Sequence, residues 1–147
     1  MKTNYFHLLL TMFLCMLSYL SFGQSNVGKA NEQYTQSEPD RPAAPVGGME
    51  AFREYVEKNY RFPKEALSAK VWGNTKISFV VSKTGKLKDF KVLNDDTGYG
   101  TAEELIRVVE ESQNEIEWIP GIANGKLVNV KYSLPINLRT LKKKLRK

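Results

Sequence analysis

Histidine and cysteine are almost missing from this chain. One of each occurs, His7 and Cys15, and both fall within the first 23 residues. Their absence downstream removes Ser-His and Cys-His nucleophile systems, zinc sites built on imidazole or thiolate, and most general-base schemes. It also removes any disulfide framework, so cysteine usage gives no redox compartment. Carboxylates remain, but the adjacent pairs Asp95-Asp96 and Glu103-Glu104 read as loop solvation and helix capping. Gly98-Tyr99-Gly100 precedes a helix start, where anions can bind, yet it has neither the length nor the lysine of a phosphate loop. No catalytic, metal or cofactor constellation emerges, and the chain reads as a non-enzyme.

Long apolar runs are equally scarce, with one exception. Lys2 is followed by Leu8-Leu9-Leu10-Thr11-Met12-Phe13-Leu14-Cys15-Met16-Leu17, and then by small residues at Ser21 and Gly23. A basic start, an apolar stretch of about ten residues and a small-residue site match a secretory signal peptide, with cleavage expected after Gly23. The alternative is an uncleaved anchor, because Tyr5 to Phe22 is uncharged and 18 residues long, the lower limit for a span. Cys15 is not placed for acylation. Bulky Phe13-Leu14 precede it, and the apolar core continues past it.

Acid is scarce at only one place, the C-terminus. The chain carries a net charge of +6, and the tail Arg139–Lys147 holds six cations and no carboxylate. Lys2 accounts for one further charge, which leaves residues 24–138 at −1. The basicity therefore belongs to a solvated tail that can meet an anionic membrane surface, not to a basic face on the domain. An exported chain without such a face has no nucleic-acid partner.

Residues 24–46 are polar, with Pro39, Pro42 and Pro45 close together, and read as a disordered linker. From Gly47 the pattern changes. Met49, Phe52, Val56 and Tyr60 recur at helical spacing, predicting a helix over 48–59. Phe62-Pro63 interrupts it, and Pro63 opens a short helix over 64–69. Ile77, Phe79 and Val81 alternate with Lys76, Ser78 and Ser82, predicting a strand with one wet face. Lys83-Thr84-Gly85-Lys86 turns it back into a strand over 87–93. Thr101-Ala102-Glu103-Glu104 has the form of a capping box, and Ala102, Leu105, Ile106 and Val109 give a helical stripe to Glu111. Asn124-Gly125 marks a turn before a third strand, in which Val128, Val130, Tyr132 and Leu134 alternate with Asn129, Lys131 and Ser133. Pro135 at its end is a residue of edge strands. The expected fold is α+β: a small three-stranded antiparallel sheet with helices on one face, in the order α-α-β-β-α-β, over 47–138. The expected basic tail is 139–147.

Across these residues the chain resembles the C-terminal domain family of the energy transducer TonB, in the form found in Bacteroidota. The features are Gly47-Gly48-Met49-Glu50-Ala51-Phe52, Tyr55-Val56, Asn59-Tyr60-Arg61-Phe62-Pro63 (commonly Tyr-Pro), Gly73, Phe79-Val80-Val81 with Thr84-Gly85, and Val92-Leu93. Ile106-Arg107-Val108-Val109, Trp118-Ile119-Pro120-Gly121, Asn124-Gly125-Lys126 and Tyr132-Ser133-Leu134-Pro135-Ile136-Asn137-Leu138 complete them. The resemblance implies a periplasmic module that binds an outer-membrane TonB-dependent receptor, or another envelope protein, by pairing its last strand with an extended partner segment. The implied contact residues are Arg61, Phe62 and Pro63 in the loop, and Val128, Asn129, Val130, Lys131, Tyr132 and Ser133 in the strand. A homodimer through the same edge is a further expectation.

Three departures bear on energy transduction. A TonB anchor carries Ser and His four apart on its span, whereas His7 and Ser18 are 11 apart. Residues 24–47 reach at most ~85 Å when fully extended. The cysteine often found near Gly98-Tyr99-Gly100 is missing. The leading expectation is thus a binding module. The alternatives are a short inner-membrane-anchored transducer facing the periplasm, which couples a proton-driven motor to receptors, and a structural envelope protein attached through its basic tail.

Overall fold

The alternation in residues 75–82 produces the central strand of the molecule, β3 (Asn74–Val81), which returns through a tight turn as β4 (Leu87–Asp95). The turn depends on Gly85. Its φ is 77°, and a Cβ there would lie 2.3 Å from the Trp118 carbonyl oxygen, so no side chain fits. Around this hairpin the computed structural model describes residues 33–36, 38–70 and 72–144. The expected signal peptide or anchor, the first part of the expected linker and the end of the basic tail lie outside the described residues.

The elements in chain order are β1 (Gln33–Thr35), β2 (Ala44–Pro45), α1 (Gly48–Asn59), α2 (Lys64–Ala69), β3, β4 and α3 (Thr101–Glu111). A short 3-10 turn (Ser112–Asn114) follows, then β5 (Trp118–Ile119), β6 (Gly121–Ala123), β7 (Lys126–Asn137) and α4 (Leu138–Lys144). The class is α+β as expected, but the main sheet has five strands, ordered β1-β7-β3-β4 with β6 also on β7. One pair is parallel, β1 on β7. The two-residue loop Asn124-Gly125 closes the β6–β7 hairpin. Both residues have positive φ, at 51° and 70°, the conformation that favours Asn-Gly in tight hairpins.

The apolar stripes foreseen for α1 and α3 meet the odd-numbered face of β3. Phe52, Val56, Ile77, Phe79, Val81, Leu105 and Val109 are each 0–1 % exposed. At the centre Trp118 stands edge-on to Phe52 and Phe79, with ring centroids 5.1 and 5.7 Å away, and Tyr132 stacks on Phe79 at 5.8 Å. Each such ring contributes roughly 1.5–3 kcal/mol through burial, and edge-to-face pairing adds to this.

Four expectations need correction. Ser78, assigned to a wet face, is buried, as is Val80; β3 is central, flanked at those positions by Lys91, Lys88 and Lys131, whose long stems can lie over it. The capping box does not form. Thr101 is the first helical residue and donates to Asp95 Oδ1 at 2.9 Å, while Glu104 accepts from Arg61 N–H at 2.8 Å. The tail folds through Lys144 as α4, with Leu138 and Leu141 buried. Finally, residues 38–46 are not a free linker. Asp40 accepts from Asn124 N–H at 2.6 Å, and Arg41 and Ile122 exchange backbone bonds of 3.0 and 2.8 Å. Tyr132 Oη donates to Ala43 O, and Val46 N–H reaches Glu117 O at 2.8 Å. Proline removes donors, but it still packs: Pro39, Ala43 and Pro45 are buried.

Candidate functional site

β7 is the strand on which the expected contact residues lie, and it is longer than the alternation alone indicated. Pro135 falls inside it, opposite Lys76 of β3. Proline enters a strand where its missing N–H points away from a neighbour, so Pro135 faces outward. Leu138 agrees: its N–H donates inward to Gly73 O at 3.0 Å. Backbone groups alternate along a strand. Tyr132, Leu134 and Ile136 therefore bond to β3, whereas Asn129, Lys131, Ser133 and Asn137 turn theirs to the outer side.

That outer side is not uniform. Before Val130 the β3 side of β7 is taken by β6, Gly121 standing opposite Val128. Gly121 makes the approach feasible, since a Cβ would sit 2.5 Å from Val130 Cγ2 and 3.3 Å from Ala43 N. On the outer side β1 lies parallel to β7, with Gln33 opposite Asn129, Tyr34 opposite Val130 and Thr35 opposite Lys131. β1 then stops. Glu38 N–H bonds Thr35 O at 3.1 Å, and Thr35 N–H bonds Glu38 Oε2 at 2.6 Å, turning the chain away. Beyond Lys131, from Tyr132 to Asn137, no strand lies on the outer side among the described residues. An open groove of about 240 Å³ runs beside this stretch, lined by Arg53, Val56, Glu57, Leu134 and Ile136 among others.

The expected contact set is thus divided. Val128 is paired with β6 and Asn129 with β1, while Val130 and Lys131 have strands on both sides, and Val130 is 0 % exposed. Tyr132 and Ser133 begin the open stretch. Arg61, Phe62 and Pro63 lie at the other end of the sheet: Phe62 stands edge-on to Trp72 at 6.1 Å and to Tyr60 at 5.1 Å. Trp72 leads into β3 at Asn74, which pairs with Asn137. Seven residues separate Val130 from Asn137, about 24 Å along a strand. The loop therefore neighbours the end of the open stretch, not its beginning. Sequence reasoning missed Ile136 and Asn137, although Pro135 was the signal that the outer edge continues to them.

Hydrogen bonding holds the loop in place. Glu104 accepts from Arg61 N–H and from Arg107 Nη2 at 2.6 Å. Burial opposes its ionisation, but these bonds outweigh burial and hold its carboxyl below the usual range. Tyr60 Oη donates to Thr101 O at 3.1 Å, and burial pushes that phenol well above its usual range. On the same side Lys142 sits 4.1 Å from the centre of the Trp72 ring, beside Arg139 and Lys143. No group of three or more potential metal-binding side chains occurs among the described residues, and no helix among them is long and apolar enough to cross a membrane.

The family model of the Gram-negative bacterial TonB protein C-terminal region matches residues 58–140. The chain belongs to this family. TonB C-terminal domains are non-enzymatic interaction modules of the envelope that engage outer-membrane receptors. No curated protein matches the chain. Among solved structures, two solution structures of the Helicobacter pylori TonB C-terminal domain are similar at 18 % and 17 % identity, with TM-scores of 0.45 and 0.46. They cover 62 % and 61 % of this chain, and 94 % and 79 % of theirs. The Pseudomonas aeruginosa TonB C-terminal domain is similar at 18 % identity and a TM-score of 0.38, over 53 % of this chain and 77 % of its own. The match at 58–140 leaves β1, β2 and most of α1 outside it.

Proposed function

We propose that this TonB C-terminal-family protein is a periplasmic partner-binding module. It engages an outer-membrane receptor, or another envelope protein, by adding an extended partner segment to the outer edge of β7. The observation that carries the reading is the open stretch from Tyr132 to Asn137, with outward amides at Ser133 and Asn137 beside a partly apolar groove. Backbone pairing supplies affinity in such additions, and side chains lying in a neighbouring groove supply selectivity. The Arg61–Pro63 loop stands at the far end, where it can meet partner residues beyond the paired segment.

Ser133→Pro tests this. It removes one outward amide and leaves the bonds to β3 intact, as Pro135 already does. Binding of synthetic peptides from periplasm-facing segments of the cell's outer-membrane receptors is measured against the full chain. At least one peptide is expected to bind, and Ser133→Pro is expected to weaken it tenfold or more. Undiminished binding by a folded Ser133→Pro variant would refute strand addition. Pairing of β7 with a second copy would appear instead as concentration-dependent dimerisation lost in the same variant.

A second reading rests on α4. Arg139, Lys142 and Lys143 cluster around Trp72 and give the module an attachment point for anionic headgroups or polymers. Such attachment is expected to be lost in high salt, because exposed charges are screened within about a Debye length.

A further inference from the structure

We propose that Gln33–Thr35 is an internal placeholder for the partner: a strand of the chain's own that occupies the start of the outer β7 edge until an extended partner segment displaces it. The inference rests on the edge-strand reading above. β1 is parallel to β7, so it fixes a direction, and a partner that replaces it in the same direction runs on past Lys131 into the open stretch. The register places Tyr34 between the outward-facing Asn129 and Lys131, and the half-buried Tyr34 side chain packs against the core. The preferred partner therefore carries a bulky aromatic or apolar residue there, with polar residues on either side.

Length gives the partner its advantage. β1 pairs with three residues of β7, Asn129–Lys131, whereas a partner on the whole outer edge would reach from Asn129 to Asn137. Cost is low as well. Residues 38–46 stay fixed by the bonds of Asp40, Arg41, Ala43 and Val46, so removal of β1 need not disturb the strap behind it. The turn at Thr35–Glu38 separates the part that leaves from the part that stays. An occupied edge also keeps the chain from pairing with itself, the hazard of any exposed strand. A parallel strand of the chain's own therefore makes partner binding a competition.

The test uses the full chain with Cys15→Ser and a nine-residue synthetic probe that begins Gln-Tyr-Thr and continues with alternating threonine and valine. One variant frees the edge: Gln33→Gly, Tyr34→Pro and Thr35→Gly together. A second locks it, with Thr35→Cys and Lys131→Cys. These are direct partners, and neighbouring strands lie about 4.8 Å apart, within the range that a disulfide spans. The freed variant is expected to bind the probe at least tenfold more tightly than the parent. The oxidised lock is expected to bind at least tenfold more weakly, and reduction to restore it. Equal affinity of parent and freed variant would overturn the placeholder alone, because the edge would accept strands without competition. Undiminished binding to the oxidised lock would likewise overturn the placeholder alone, because the lock leaves Tyr132–Asn137 open, whereas no binding to a folded freed variant would overturn the edge-strand reading and this inference with it.

Discussion

The two long edges of the main sheet handle the same hazard in different ways. β4 ends the sheet on one side and exposes Val92 and Leu93 at 45 % and 47 %, a combination that invites pairing with another chain. It is guarded by shape and charge. The register slips between Ser78 and Val80, Asp89 takes a φ of 55°, and Lys88, Asp89 and Lys91 lie exposed along it. Bulges and charges of this kind hold an edge unpaired permanently. β7 has no bulge against β3. Its regular outer edge is covered in part by β1 and is open beyond it. A permanent block suits an edge with no partner, and a removable cover suits an edge that has one.

The contrast can be broken most severely inside β7. Val130→Pro puts a ring lacking its N–H at a position that bonds to β3 and is flanked on the other side by β1. We expect a loss of about 3 kcal/mol or more, seen as a collapse of the denaturant midpoint, whereas Ser133→Pro three residues on should shift it by less than about 1 kcal/mol. The far end of β4 depends on Asp95, whose Oδ1 accepts from Thr97 Oγ1 at 2.8 Å, from Thr101 Oγ1 at 2.9 Å and from Gly98 N at 3.0 Å. Asp95→Ala strands these donors at the start of α3 and should cost roughly 2 kcal/mol. Burial works against the Asp95 carboxylate, but the hydrogen bonds prevail and hold its pKa below the usual range. A folded pKa lowered in this way gives stability that is present above the ordinary aspartate pKa of about 3.9 and is lost as pH falls through the depressed value. An acid titration of unfolding should therefore show a smaller acid loss in Asp95→Ala than in the parent.

On the covered side, Tyr132→Phe removes the donor to Ala43 O. The expected cost is about 1–2 kcal/mol, with faster amide exchange at Arg41 and Val46 as the sign that the strap has loosened. The smallest effect on stability belongs to Lys88→Thr with Lys91→Thr, within about 0.5 kcal/mol. These changes should nevertheless promote self-association through β4 in sedimentation, because they remove the charge that guards it.

Much of the fold was legible in the sequence because periodicity reports burial directly. The stripes in residues 48–59 and 101–111 and the alternation in 75–82 placed α1, α3 and β3 to within a residue or so, and Asn124-Gly125 located its hairpin. The strap was not legible. Pro39, Pro42 and Pro45 mark a segment that cannot form regular structure alone, and composition does not reveal that β5 and β6 offer it backbone partners. The same reasoning explains β1: three polar-flanked residues carry no strand signal of their own, and only the outward groups of β7 make them a strand. At the candidate site, the resemblance to TonB pointed to β7, the strand that carries the open edge. It could not show that Asn129–Lys131 would be covered by β1, or that the Arg61–Pro63 loop would stand at the opposite end of the sheet.

Residue-resolved amide hydrogen exchange of the full chain tests the central claim most directly. Exchange follows the opening that frees each amide. The account predicts rapid exchange at Ser133 and Asn137, intermediate exchange at Lys131 through departure of β1, and exchange only on global unfolding at Tyr132 and Leu134. Protection of Ser133 equal to that of Tyr132 would contradict it, for the outer edge of β7 would then be closed.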